Sequence, residues 1–228
     1  MAASYFDVDG TLVSTNLVHT TVFYMMRQQT PVHSLAKLGK ALVRSPLLAL
    51  AELQDRRLFN EMLFQSYEGT SEDRLMTLAD EAFRTVIKPN LFPGARDLIK
   101  ACADRGHQVV IVSGALDFLM QLLADHLGAH GVIANKLEIK DRFATGKLMR
   151  PVVAGPEKAA LVREHARANG HDLEECFAYS DSYSDVPMLS IVGHPAAVNP
   201  DRKLRLLAST YHWPIIHLGT SATSASRA

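Results

Sequence analysis

The spacing of apolar and polar positions changes character twice along this chain. Residues 4–8, Ser-Tyr-Phe-Asp-Val, form a short run that reads as a buried strand, and it leads into Asp9-Gly10-Thr11. From Asn16 to Phe83 no period-two alternation holds. That stretch predicts several helices, broken near Pro31, Pro46 and Gly69. After Pro89 the pattern becomes regular. Pro93-Gly94 opens a predicted helix that runs to Arg105 and stops at Gly106. His107 to Ser113 is a near-continuous apolar run, as in a strand buried on both faces. A helix over 116–127, closed by Gly128, and a strand over 131–134 follow. Residues 137–150 alternate around Ala144-Thr145-Gly146, which predicts a small hairpin. Gly155-Pro156-Glu157-Lys158 starts the next helix, with proline and an acid in its first turn. Residues 176–181 form another strand. A short helix, a strand over 195–198, a helix from Asp201 and a last strand over 214–218 complete the series.

Strands alternating with helices predict a parallel sheet covered on both faces. The expected fold class is therefore α/β, with a doubly wound, Rossmann-like core and an inserted helical cap. The expected division assigns 1–13 and 86–219 to the core, 14–85 to the cap and 220–228 to a disordered Ser/Thr/Ala tail. A chain of 228 residues is long enough for a core with a small insert.

Composition narrows the function classes. Lys+Arg and Asp+Glu both number 24, so no net field draws the chain to nucleic acid. Cys102 and Cys176 are far apart with no CxxC, which fits a reducing compartment, and no charged-then-apolar leader precedes the first strand, so a cytoplasmic protein is expected. No apolar run reaches the ~20 residues of a membrane span. The ten histidines show no tight ligand spacing and read as scattered core and surface residues. On oligomeric state the sequence is silent.

In open α/β sheets ligands bind beyond the carboxyl ends of the strands. At those ends stand Asp7 and Asp9, then Ser113-Gly114, then Asp181 with Asp185 four residues on; Lys158 opens the helix that leads into the last of these strands. Asp7 and Asp9 leave an extended chain on the same side, an arrangement that costs stability unless a cation or hydrogen bonds offset it. Phosphoryl transfer asks for these parts. A hard cation, Mg2+, would take the Asp7 and Asp181 carboxylates and the Asp9 carbonyl. Asp7 would attack phosphorus and carry an aspartyl-phosphate. Asp9 would protonate the leaving oxygen and later activate water. Ser113 and the Gly114 amide would hold phosphoryl oxygens, Lys158 would neutralise their charge, and Asp185 would hold metal waters or brace Lys158.

These residues resemble, in order, the four motifs of the haloacid dehalogenase superfamily: Asp7-Val8-Asp9-Gly10-Thr11, Ser113-Gly114, Lys158, and Asp181 to Asp185. The resemblance covers residues 4–218, and an insert directly after the first motif resembles the cap of the phosphoserine-phosphatase-like branch. It implies a Mg2+-dependent phosphatase with Asp7 as nucleophile, and the second acid, Asp9, is the mark of the superfamily's phosphatases. Two positions depart from the branch. Asn16 stands where its members carry a glutamate for the serine ammonium, and the fourth motif reads Asp181-Ser182-Tyr183-Ser184-Asp185 rather than Gly- and Asn-rich. Both point away from phosphoserine and leave the phosphoryl chemistry in place.

The expected substrate is thus a small-molecule phosphomonoester, with Asn16, His19 and Arg27 of the insert as candidate specificity residues. Taken as a helix, residues 32–44 put Leu35, Leu38 and Leu42 on one stripe and Lys37, Lys40 and Arg44 opposite, a surface that could meet anionic membrane or steer a lysolipid phosphate. Transfer of the phosphoryl group to an alcohol and a non-catalytic phosphate-binding scaffold are the other readings. Thr145-Gly146-Lys147-Leu148 looks like the end of a P-loop, but Asp141 and Leu148 stand where glycine and Ser/Thr are required.

Overall fold

The structure, a computed structural model, describes residues 2–27 and 56–219, with positions 39 and 47 besides. Apart from positions 39 and 47, the basic stripe expected over 32–44, the apolar run Pro46–Ala51 and the tail 220–228 lie outside the described residues.

Six parallel strands form the main sheet: β1 (Ala3–Phe6), β2 (Gln108–Leu116), β3 (Gly131–Asn135), β6 (Phe177–Ser180), β7 (His194–Val198) and β8 (Ile215–Ile216), in the order β3-β2-β1-β6-β7-β8. The chain winds outward from β1 to β3, then returns to pair β6 on the other side of β1. The order therefore reverses at β1, and the crevice at its carboxyl end is the switch point of the sheet.

Both faces of the central strands β1, β2 and β6 are largely buried, as the unbroken apolar runs require. Phe6, Val109 and Ile111 enter one apolar layer, while Tyr5, Val110 and Val112 enter the other. The first layer is closed by helices α4 (Ala95–Asp104) and α5 (Asp117–Leu127) through Ile99, Leu119 and Leu123. The second is closed by α6 (Pro156–Ala168), α7 (Val186–Leu189) and α8 (Arg202–Thr210) through Val162, Met188 and Leu204. The stretch between β1 and α4 supplies α1 (Leu17–Met26), α2 (Arg56–Phe64) and α3 (Glu72–Ala82). These pack Phe23, Tyr24, Phe64, Leu75 and Leu78 into the same layer as Phe6.

The hairpin of β4 (Leu137–Lys140) and β5 (Phe143–Leu148) is antiparallel as expected, but its turn is not at Ala144-Thr145-Gly146, which lies inside β5. The chain reverses at Asp141-Arg142, both at positive φ, 49° and 66°. Two such residues make the turn whose twist suits a hairpin, a place normally taken by Asn-Gly or Asp-Gly. Arg142 stands in for glycine there, which is why the turn escaped a reading by glycine position. Its guanidinium reaches Asp73 at 2.9 Å. The hairpin is sewn to the insert by backbone bonds from Gly69 N–H to the Ala144 carbonyl (2.9 Å) and from Ala144 N–H to the Thr70 carbonyl (2.8 Å).

Candidate active site

Beyond β1 the chain makes a tight loop in which the N–H groups of Thr11, Leu12 and Val13 all point at the Val8 carbonyl. Gly10 takes φ +83°, and a Cβ there would fall about 2.1 Å from Asp181 Oδ2. Glycine at this position lets the carboxylate that follows β6 lie against the loop that follows β1. The Thr11 hydroxyl joins them: it lies 2.9 Å from Asp7 Oδ2 and 3.2 Å from Asp181 Oδ1, able to donate to either, and it accepts from Asp181 N–H at 2.9 Å.

Lys158, in the first turn of α6, reaches Asp7 Oδ1 at 2.5 Å and Asp185 Oδ2 at 2.8 Å. All three residues are buried. Ser180 donates to the same Asp185 oxygen at 2.8 Å. Asp185 therefore braces the lysine, one of its two expected roles. Four acids and one ammonium converge around one cavity of about 300 Å³.

The crowding sets the proton affinities. Burial raises the Asp7 pKa, Lys158 opposes that rise, and Asp185 adds to it. Asp9 is pushed up to about 7 by burial and by Asp7, against the pull of Lys158 and Arg56. Asp181 is pushed up to about 8 by burial, Asp7 and Asp185. Burial disfavours the charge on Lys158, but Asp185 and Asp7 outweigh it and hold the ammonium above its ordinary range.

A raised carboxyl pKa means that the folded state holds a proton which the unfolded state gives up. The stabilisation is full below the ordinary value of 3.8 and is lost as pH climbs through about 8 for Asp181. With chelator present, Asp181→Asn is therefore expected to gain on the parent as pH rises from 5 to 8 and to be the more stable at pH 8. Denaturant titrations at a series of pH values check this; a constant difference would refute the assigned crowding.

Among the described residues no three His, Cys, Asp or Glu form a ready cage for a metal ion. A Mg2+ site needs less: one or two carboxylates, with waters and substrate phosphate supplying the rest. Two carboxylates tied by one hydroxyl, with proton affinities raised first by burial and then by neighbouring acids, fit that donor set.

Strand β2 takes three steps from Ser113 to Leu116 while β3 takes one from Ala134 to Asn135, so Gly114 and Ala115 bulge from the sheet. Gly114 lines the cavity. Ser113 does not: its buried hydroxyl accepts from Ala115 N–H at 3.1 Å within the bulge. Asn135, fully buried, clamps the bulge by donating to the Gly114 carbonyl at 2.7 Å and accepting from Val153 N–H at 2.7 Å.

Of the three candidate specificity residues, Asn16 lines the cavity. It caps α1, accepting from Val18 N–H, and its carboxamide meets His19 Nδ1 at 2.8 Å. His19 is spent on that cap. Arg27 pairs with Glu81 at 2.7 Å and lies over the Phe23 ring, away from the cavity. Sequence reasoning missed Arg56, Phe59 and Asn60 of α2, which also line it. Their i, i+3 and i+4 spacing puts them on one helix face, a weak signal in a stretch without motifs.

A family model described as haloacid dehalogenase-like hydrolase matches residues 5–190. The chain is 34% identical to phosphoserine phosphatase SerB1 of Mycobacterium tuberculosis H37Rv, over 94% of this chain and 70% of that protein. It is 33% identical to the inhibition of morphological differentiation protein of Streptomyces azureus, over 94% of this chain and 77% of that one. A solved structure of a protein of unknown function from Bordetella pertussis Tohama I is similar with a TM-score of 0.82 at 24% identity, covering 95% of this chain and 98% of that one. The phospho-aspartyl intermediate analogue of a phosphoserine phosphatase gives 0.67 at 20% identity, with 99% and 97% covered. The structural likenesses show the shared fold; the sequence matches go further. The chain belongs to the haloacid dehalogenase-like hydrolase family. Within it, the chain is a phosphoric monoester hydrolase. Among the described residues no helix is long and apolar enough to cross a membrane.

Proposed function

We propose that this hydrolase is a Mg2+-dependent phosphatase of small phosphomonoesters and that it works through an aspartyl-phosphate on Asp7, with residues 14–85 as a cap over the site. The observation that carries the reading is the placement of Lys158 between Asp7 and Asp185, with Asp181 tied to Asp7 through Thr11, at the point where the strand order reverses.

Each oxygen of Asp7 has a partner, Lys158 on one and Thr11 on the other, so the carboxylate is fixed in orientation. In the first step an Asp7 oxygen bonds to phosphorus and the ester P–O bond breaks. The leaving oxygen takes its proton from Asp9, whose pKa of about 7 leaves the acid form well populated at neutral pH. In the second step the Asp9 carboxylate takes a proton from water, the water oxygen bonds to phosphorus, and the acyl-phosphate bond breaks to return Asp7 and release phosphate. Lys158 and the Gly114 amide hold the phosphoryl oxygens throughout. Asp7, Asp181 and the Asp9 carbonyl would hold Mg2+, which when bound would neutralise charge on the group in transfer.

The cavity is small enough to favour a small phosphorylated metabolite. Relatives carry the name phosphoserine phosphatase, but Asn16 offers no carboxylate to an ammonium, and its carboxamide is already engaged in capping. A panel of phosphomonoesters that includes phosphoserine, amino-alcohol phosphates and p-nitrophenyl phosphate, assayed by phosphate release, tests the reading. Release is expected to fall by more than about a hundredfold in chelator and to return with Mg2+. Release that is indifferent to chelator would sink it.

A further inference from the structure

Asn60 lies in the middle of α2, is 5% exposed and lines the cavity, and its side chain hydrogen-bonds to no other described residue. Its Nδ2 stands 2.9 Å from the point where a Cβ on Gly114 would project, and the Val153 carbonyl is 3.3 Å from the same point. The carboxamide therefore sits directly over the glycine of the β2 bulge. Any side chain at position 114 would displace it.

A buried carboxamide brings two donors and an acceptor. With no partner among the described residues and the cavity in front of it, the group finds its partner in what enters the cavity. The atom nearest Gly114 is the nitrogen, a donor. A phosphoryl group presents acceptor oxygens, and the Gly114 amide next to it presents a donor of the same kind. The amide group is delivered from α2 of the insert, whereas Lys158 comes from α6 of the core.

We propose that Asn60 is a phosphoryl-binding residue, its Nδ2 donating to a phosphoryl oxygen beside the Gly114 N–H. The inference rests on the reading of this cavity as a phosphoryl site. It adds a group from the insert to a set that otherwise comes from the sheet edge.

Two variants test it. Asn60→Leu keeps volume over Gly114 and removes both polar atoms. Asn60→Asp keeps the shape and turns the donor into a charged acceptor. With p-nitrophenyl phosphate, kcat/KM of Asn60→Leu is expected to fall by about ten- to a hundredfold, the range for a hydrogen bond to a charged group. Asn60→Asp is expected to fall further, because its carboxylate repels the phosphoryl oxygens. The unfolding midpoint of Asn60→Leu is expected to match or exceed the parent's, since no buried polar group is left unmade. A packing role would lower the midpoint and spare kcat/KM. Binding of inorganic phosphate, measured by calorimetric titration, is expected to weaken about tenfold or more in both variants.

Phosphate affinity and kcat/KM within twofold of the parent in both variants overturns the proposal. Should Asn60→Leu fail to fold, Asn60→Asp alone carries the comparison. Should the parent bind phosphate but turn over no phosphomonoester, the catalytic reading has failed and the titration decides Asn60 by itself: weakened binding upholds it and unchanged binding overturns it. A parent that binds no phosphate overturns both.

Discussion

Replacing Asp7 by asparagine is expected to lower phosphate release by at least ~10⁴-fold while the fold persists, the scale on which loss of a covalent nucleophile acts. Asparagine matches the shape of the carboxylate; its oxygen can still accept from Lys158 and its nitrogen can donate to the Thr11 hydroxyl, but its amide does not displace an ester oxygen at phosphorus. The fold is expected to tolerate the change because Lys158 retains Asp185 at 2.8 Å. Two measurements check the two halves. Acid quench with radiolabelled substrate should trap a phosphoenzyme in the parent and none in Asp7→Asn, and thermal unfolding should remain cooperative in both. More than about a tenth of parental turnover in a pure Asp7→Asn preparation would remove Asp7 as nucleophile.

Lys158→Met is expected to lower turnover by about 10²–10³-fold, the size of effect seen when a fixed group is taken from the charge that develops in a transition state. It should also cost stability, unlike Asp7→Asn. The ammonium is buried between Asp7 and Asp185, and its removal leaves two acids facing each other without compensation. Breaking a buried pair from one side typically costs about 3–5 kcal/mol. The loss should be larger at pH 8 than at pH 5, because Asp7, whose pKa is raised by burial and by Asp185, can relieve the repulsion by taking up a proton at the lower pH. Denaturant titrations at the two pH values, beside steady-state rates, separate the catalytic loss from the structural one. A rate change below about tenfold would mean that the lysine holds the acids in place without touching the group in transfer.

The parts of this site that could be read in the sequence are those fixed by the strand rule. A near-continuous apolar run such as Val109–Val112 declares a strand buried on both sides, and the polar residues after such runs must gather at one edge. Asp7, Asp9, Asp181 and Asp185 are legible for that reason, and Lys158 by its place in the first turn of the helix that leads into β6. Ser113 was placed in the same way, yet a two-residue bulge turns its hydroxyl onto Ala115 and leaves Gly114 as the member that faces the cavity. Nothing in the spacing of residues 108–116 announces the bulge; it depends on Asn135, a polar residue hidden in the neighbouring strand. Arg56 and Asn60 were out of reach for another reason. They come from a helix whose approach to the sheet depends on packing among Phe23, Tyr24, Phe64 and Leu75, a tertiary arrangement without local periodicity to mark it.

The β4-β5 hairpin has a mechanical consequence. It leaves the α/β core and pairs, backbone to backbone, with residues 69–72 between the insert helices, and Arg142 clasps Asp73 at its tip. The described part of the insert is thereby tied to the core through the hairpin as well as through the chain itself, so residues 69–73 and the hairpin are expected to move as a single lever.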